Sequence, residues 1–220
     1  STDWTGGEAA RQVLTSYYET RDIPPGDRLK MAFWDVNSVL FERSGEVFNR
    51  GTTTLVAAVV QHNRMSVANV GNSRAYIIHD GQAQQITRDH DLLSEIMHMG
   101  GLSMGEVERA SENNRLTRYL GGKETIEVDV FTDIPLYAGD VILLCSDGLT
   151  HHVSDEQIAL LVGTGNPEQD CRHLVNWAIR SGSEDDVTAL VVFLEDEVAQ
   201  TEPISAQSAA HGSESLPISE

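Results

Sequence analysis

Apolar positions fall first into a helical period and then into an alternating one. Over Gly6–Thr20, Ala9, Ala10, Val13, Leu14 and Tyr17 recur at helical spacing, and Ile23-Pro24-Pro25-Gly26-Asp27 breaks the run. A second helix is predicted from about Arg28. Its stripe is Leu29, Ala32, Phe33, Val36 and Leu40, widened by Trp34 and Phe41, both expected in the core. Two consecutive amphipathic helices need a surface to cover, and a sheet face supplies one.

From Gly51 the period shortens. Thr52–Gln61 reads as a β-branched strand, turned by His62-Asn63-Arg64 into Met65–Asn69, with Ala75–His79 extending the meander. Asp80-Gly81 is a hairpin signal before Gln82–Thr87. The small residues of Val70-Gly71-Asn72-Ser73-Arg74 permit a bulge or a close backbone approach, and Arg74 reads as a strand-edge charge. A helix over Asp89–Met99, capped by Asp89 or Asp91, ends at Gly100-Gly101. A shorter one over Ser103–Ala110 carries a Ser103–Glu106 capping box. With the polar stretch Glu112–Arg115, the segment Leu92–Arg115 has the character of a lid. Strands follow at Ile126–Thr132 and Val141–Cys145, then helices at Ser154–Val162, capped by Ser154, and Glu168–Arg180. The last strand is Val187–Leu194. Residues 195–220 are rich in Ser, Ala, Glu and Pro, lack Lys and Arg, and have no period; they read as a disordered acidic tail or linker after a domain spanning 1–194.

Composition narrows the classes. A chain of 220 residues with 40% hydrophobic content can bury one good-sized core. Thirty-four acidic against fifteen basic residues give a net charge of −19, which disfavours nucleic acid or an anionic membrane as a partner. Two cysteines, no signal peptide and no apolar run of spanning length point to a cytoplasmic protein, expected to be a monomer.

Chemistry concentrates at two strand ends. The buried run Val141–Cys145 stops at Ser146-Asp147-Gly148, and Glu184-Asp185-Asp186 stands directly before the last strand. Two carboxylates about 4 Å apart repel by about 4 kcal/mol at an effective dielectric near 20, so a shared divalent cation would relieve them. All-oxygen ligation favours magnesium, manganese or calcium over zinc. An Asp-Gly turn and a solvated acidic loop are the plain alternatives. His151-His152 lacks ligand partners at metal spacing and reads as a surface turn.

Six blocks in order then amount to a resemblance: G-T-T-T-L-V-A from Gly51, A-N-V-G-N-S-R-A-Y from Ala68, I-T-R-D-H from Ile86, N-R-L-T-R-Y-L-G from Asn114, L-L-C-S-D-G-L-T from Leu143 and G-S-E-D-D-V-T from Gly182. The chain resembles the metal-dependent protein phosphatases of type 2C in their bacterial form. The resemblance implies an α+β fold, a four-layer α-β-β-α sandwich of two antiparallel sheets flanked by helices. It also implies a dinuclear Mn2+ or Mg2+ site and hydrolysis of phosphoserine and phosphothreonine in phosphorylated protein substrates, a signalling role. Residue by residue, Asp147 and Asp185 match metal ligands, and Asp89 matches a carboxylate of a third, weaker metal. Asn72 stands where the family's G-D-S-R block has aspartate, a structural change, and Asp186 stands where it has asparagine.

The other end departs from the pattern. Gly6-Gly7-Glu8-Ala9-Ala10 is similar to the stretch just after the family's D-G-M-G-G motif, so the first strands, the phosphate-binding arginine and the bridging aspartate have no counterpart. The chain is therefore expected to be N-terminally incomplete or a non-catalytic regulatory or binding relative, and residues 1–220 alone to hydrolyse phosphoesters poorly.

Overall fold

In a computed structural model, which describes residues 6–44, 51–100, 107 and 115–195, two helices open the fold: α1 (Gly6–Glu19) and α2 (Pro25–Ser44). Strands β1 (Leu55–Gln61), β2 (Arg64–Val70), β3 (Arg74–His79) and β4 (Gln82–Gln85) follow, then α3 (Leu92–Met99), β5 (Asp129–Pro135) and β6 (Val141–Cys145). The rest is α4 (Asp147–Thr150), α5 (Asp155–Leu161), α6 (Pro167–Arg180) and β7 (Ala189–Phe193).

The strands form two sheets, β1-β2-β5 and β4-β3-β6-β7, with every pairing antiparallel. Alternation along β6 shows why there are four layers. Val141, Leu143 and Cys145 join a core with Leu149, Ile158 and Leu174 of the helices, while Ile142 points the other way to Met65, Val67 and Ile77 between the sheets. A third cluster packs Val13, Phe33, Val36 and Leu40 of α1 and α2 on Ala68 and Val70 of β2. Each of these fully buried aliphatic or aromatic side chains contributes about 1.5–3 kcal/mol relative to exposure. The layering is the expected α+β sandwich.

Asn37 shows how a polar group inside it is matched. Asn37 on α2 is 1% exposed; its amide donates to the carbonyls of Lys123 (3.0 Å) and Glu124 (3.2 Å), and its Oδ1 accepts from Gly121 N–H (2.9 Å). The expected Ser154 cap is present, and with Gln157 it forms a capping box.

Several expectations shift. Trp34 and Phe41 are 45% and 37% exposed rather than core. The stripe of α2 is complete without them, and the Trp34 indole donates to Ile126 O (3.1 Å) while Lys30 stacks over its ring. The helix predicted over Asp89–Met99 begins only at Leu92, because Asp91 is the residue whose carboxylate caps it, accepting from Ser94 N–H at 2.7 Å. The strand predicted at Ile126–Thr132 runs instead from Asp129 to Pro135, pinned by pairing with β2. The second helix starts at Pro25, whose ring suits a first helical turn. All but Val107 of the predicted Ser103–Ala110 helix, most of the Leu92–Arg115 lid and all but Glu195 of the predicted tail lie outside the described residues.

At the far end of the second sheet, His79 Nδ1 lies 2.5 Å from Oδ1 of buried Asp140, which also accepts from Tyr137 N–H. The Asp140 hydrogen bond, aided by the charge of Asp80, holds the His79 pKa above its ordinary 6.5. A raised folded-state pKa means that this contact stabilises fully below the unfolded value and is lost as pH rises through the folded one. Titration of the His79 ring by NMR should show a midpoint above that of an unstructured histidine; His79→Gln should flatten the stability change over that window. An ordinary midpoint would refute the contact.

Candidate metal centre

Strand register brings the acidic blocks together. Arg74 of β3 and Ala189 of β7 both pair with Cys145, the last residue of β6. Residues just before β3, just after β6 and just before β7 therefore meet at one end of the sheet, and these carry Asn72, Asp147 and Asp185.

The loops are clasped by hydrogen bonds. Ser146 N–H donates to Thr188 O (3.1 Å) and Thr188 N–H returns to Ser146 Oγ (2.9 Å). Ser146 Oγ–H donates to Asp186 O (3.1 Å), and Ser183 Oγ–H to Gly148 O (3.0 Å). The plain alternative, a turn at Asp147-Gly148, is not what forms: these are the first two residues of α4. Gly148 is buried against the acidic loop: a Cβ there would sit 2.6 Å from Asp186 O and 3.5 Å from Asp185 Cβ. Gly148→Ala should therefore push the 185–186 backbone outward and lower stability by about 1–3 kcal/mol, as overpacking does. Calorimetry in metal-free buffer checks this, and unchanged stability would mean the loop yields freely.

Each of the two carboxylates is tied through one oxygen. Asp147 Oδ2 accepts from the Asn72 amide at 2.8 Å, and Asp185 Oδ1 from Asp186 N–H at 2.8 Å. Among the described residues no side chain or backbone donor is recorded for the second oxygen of either. Two pinned strand-end carboxylates, each with an oxygen to spare, fit one hard divalent cation. Among the described residues no three or more His, Cys, Asp or Glu gather as a metal-holding group, so Asp147 and Asp185 have no third such ligand there and a second metal position has no ligand set.

Asp89 is engaged otherwise. Its carboxylate takes a forked pair from Arg74 (Nε 2.9 and 3.0 Å, Nη2 2.7 Å) and a bond from Gln85 Nε2 (3.0 Å). Arg74 also donates to Tyr76 Oη (2.8 Å), whose hydroxyl donates to Asp155 Oδ1 (3.0 Å). Arg74, read as a strand-edge charge, instead begins an interior strand with its side chain only 23% exposed. Burial disfavours its charge, but the hydrogen bonds it donates to Asp89 and the charge of that carboxylate outweigh this and raise its pKa. Burial likewise raises Tyr76.

The sequence reading passed over His90, which is fully buried. Its Nδ1 accepts from Gly71 N–H (3.1 Å) and its own N–H donates to Gly71 O (3.1 Å). Nε2 lies 3.2 Å from Asp129 Oδ2, poorly aligned for a hydrogen bond, and Asp129 accepts from Arg118 at 2.6 Å. Burial holds His90 below its ordinary pKa. Arg74, Arg88, Asp89, Met97, Arg118 and Asp129 help line a cleft of about 720 Å³ beside α3. His151 is exposed and His152 half-buried in the turn after α4, as expected of a surface turn.

Comparison with known proteins agrees with this fold. The family model described as protein phosphatase 2C matches residues 10–96. The serine/threonine phosphatase stp of Listeria monocytogenes is 34% identical over 191 residues, covering 84% of this chain and 75% of the relative. The crystal structure of serine/threonine phosphatase Stp1 from Staphylococcus aureus superposes with a TM-score of 0.74 at 29% identity, covering 89% of this chain and 81% of that one. The catalytic domain of serine threonine protein phosphatase PstP in complex with two manganese ions gives a TM-score of 0.70 at 27% identity, covering 87% and 82%.

Proposed function

The chain belongs to the protein phosphatase 2C family and is a phosphatase domain, and from that premise we propose that it removes phosphate from phosphoserine and phosphothreonine in proteins, with Asp147 and Asp185 holding a manganese or magnesium ion. The observation that supports this is that register and hydrogen bonds bring the loops carrying those two carboxylates to one sheet end, each carboxylate with an oxygen left over. When bound, such an ion supplies Lewis-acid charge for the phosphoryl group.

The chain's own residues do the positioning. Asn72 fixes the plane of the Asp147 carboxylate, and the Ser146–Thr188 clasp sets how far Asp185 stands from it. Gly148, lacking a side chain, leaves room for that approach. Asp89 joins a third, weaker metal only by exchanging Arg74 and Gln85 for it. Two free cysteines, one buried and one partly so, suit a reducing cytoplasm. No helix among the described residues is long and apolar enough to cross a membrane.

The test is release of phosphate from a phosphothreonine peptide by the intact protein, with manganese or with chelator. Turnover is expected with the metal and should vanish on chelation. No turnover under either condition would overturn the reading.

A further inference from the structure

The turn between β2 and β3 is held more firmly than a surface turn needs. Gly71 is buried at φ +111°, and a Cβ there would lie 2.3 Å from Thr54 Cγ2. Thr54 and Ser73 share a hydroxyl bond of 2.9 Å. The buried Asn69 amide donates to Gly71 O (3.2 Å) and to Arg88 O (3.0 Å), and His90 grips Gly71 through both its ring and its backbone. The residue these contacts aim is the next one, Asn72, whose amide meets Asp147.

His90 is an expensive way to fill its site. Because Nδ1 accepts from Gly71, the neutral ring carries its proton on Nε2, which faces Asp129 Oδ2 at 3.2 Å but is poorly aligned with it. An apolar side chain of similar volume would bury no N–H there and need no such partner. What only the imidazole adds at this place is the acceptor for Gly71 N–H.

We propose that His90 is a positioning residue for the metal centre: through Gly71 it fixes Asn72 against Asp147, and so sets how tightly Asp147 and its partner hold a divalent ion. This rests on the reading of Asp147 as a ligand. Outer-shell partners of metal ligands typically govern affinity by about 10–100-fold when removed. The line runs from His90 by one hydrogen bond to the Gly71 backbone amide, along the chain to Asn72, and by a second hydrogen bond from its side-chain amide to Asp147.

The experiment uses the intact protein and manganese ion alone. Binding is measured by calorimetry for wild type, His90→Leu, His90→Asn and Asn72→Ala, with urea unfolding as a control for the fold. His90→Leu should weaken binding about 10-fold, and His90→Asn, whose side-chain oxygen can replace Nδ1, should restore most of it. His90→Leu combined with Asn72→Ala should bind no worse than Asn72→Ala alone, because both remove one path. Losses that multiply, or His90→Leu within twofold of wild type, overturn the proposal. A readout without metal separates it from the ligand reading. The Asn72 side-chain amide protons should be protected from exchange in wild type and His90→Asn, and exposed in His90→Leu or, if that variant does not fold, in His90→Gln. Equal protection throughout overturns the positioning role even if manganese binds; that pattern of protection with no manganese bound by wild type overturns the role of Asp147 as ligand and, with it, the claim on affinity.

Discussion

Asp185→Asn in the intact protein is expected to lose manganese-dependent phosphatase activity by about 10²–10³-fold, the scale on which removal of one preorganised electrostatic element acts. Its fold should survive. Asn keeps an oxygen able to accept from Asp186 N–H, so the loop's own bond remains, and the Ser146–Thr188 clasp uses no atom of Asp185. Without metal the variant should be as stable as wild type or slightly more so, since one of two neighbouring negative charges has gone. The same pattern is expected of Asp147→Asn, which can still accept from Asn72. An inactive protein with undiminished stability marks a ligand; retained manganese-dependent turnover in either variant would remove that carboxylate from the centre.

Arg74→Met is the substitution expected to cost most in stability. Asp89, whose side chain is 9% exposed, would lose both arms of its fork and keep only Gln85. Stranding one partner of a buried pair costs about 3–5 kcal/mol, and the partial exposure of Arg74 puts the expected loss near the lower end, about 3 kcal/mol. The Tyr76 hydroxyl loses a donor as well. The urea midpoint should fall accordingly, and adding Asp89→Leu should recover part of the loss by removing the stranded charge. A change below about 1 kcal/mol would class the pair with surface ion pairs.

Much of this architecture is legible in local pattern. Val141–Cys145 reads as a strand buried on both faces because every residue is apolar, and its side chains do divide between two cores. Ser154 is legible as a cap because its partner Gln157 is three residues away. Arg74 on β3 and Asp89 in the loop before α3 are fifteen residues apart, and no local period says that they meet. Trp34 and Phe41 mislead for a related reason. An aromatic on the flank of a stripe has the pattern of a core residue, and only the width of the sheet beneath decides whether it is covered. Asp147 and Asp185 stand out as acidic residues at apolar strand ends. Asn72 becomes legible only when the register of β3 against β6 is extended past the last paired residues, which requires knowing that the two strands are neighbours.

The clasp between the loops bears on the order in which the molecule assembles. Asn72 and Asp147 are separated by 75 residues and meet through two neighbouring strands, while Asp185 joins them only when β7, last in the chain, has paired with β6. Contacts of such sequence separation carry a large loop-closure cost and tend to form late. A cation bound between Asp147 and Asp185 therefore stabilises the finished sheet and does little for the structure that precedes it. Its expected kinetic signature is slower unfolding with an almost unaltered folding rate, the mark of a latch on β7 rather than of a seed for β1.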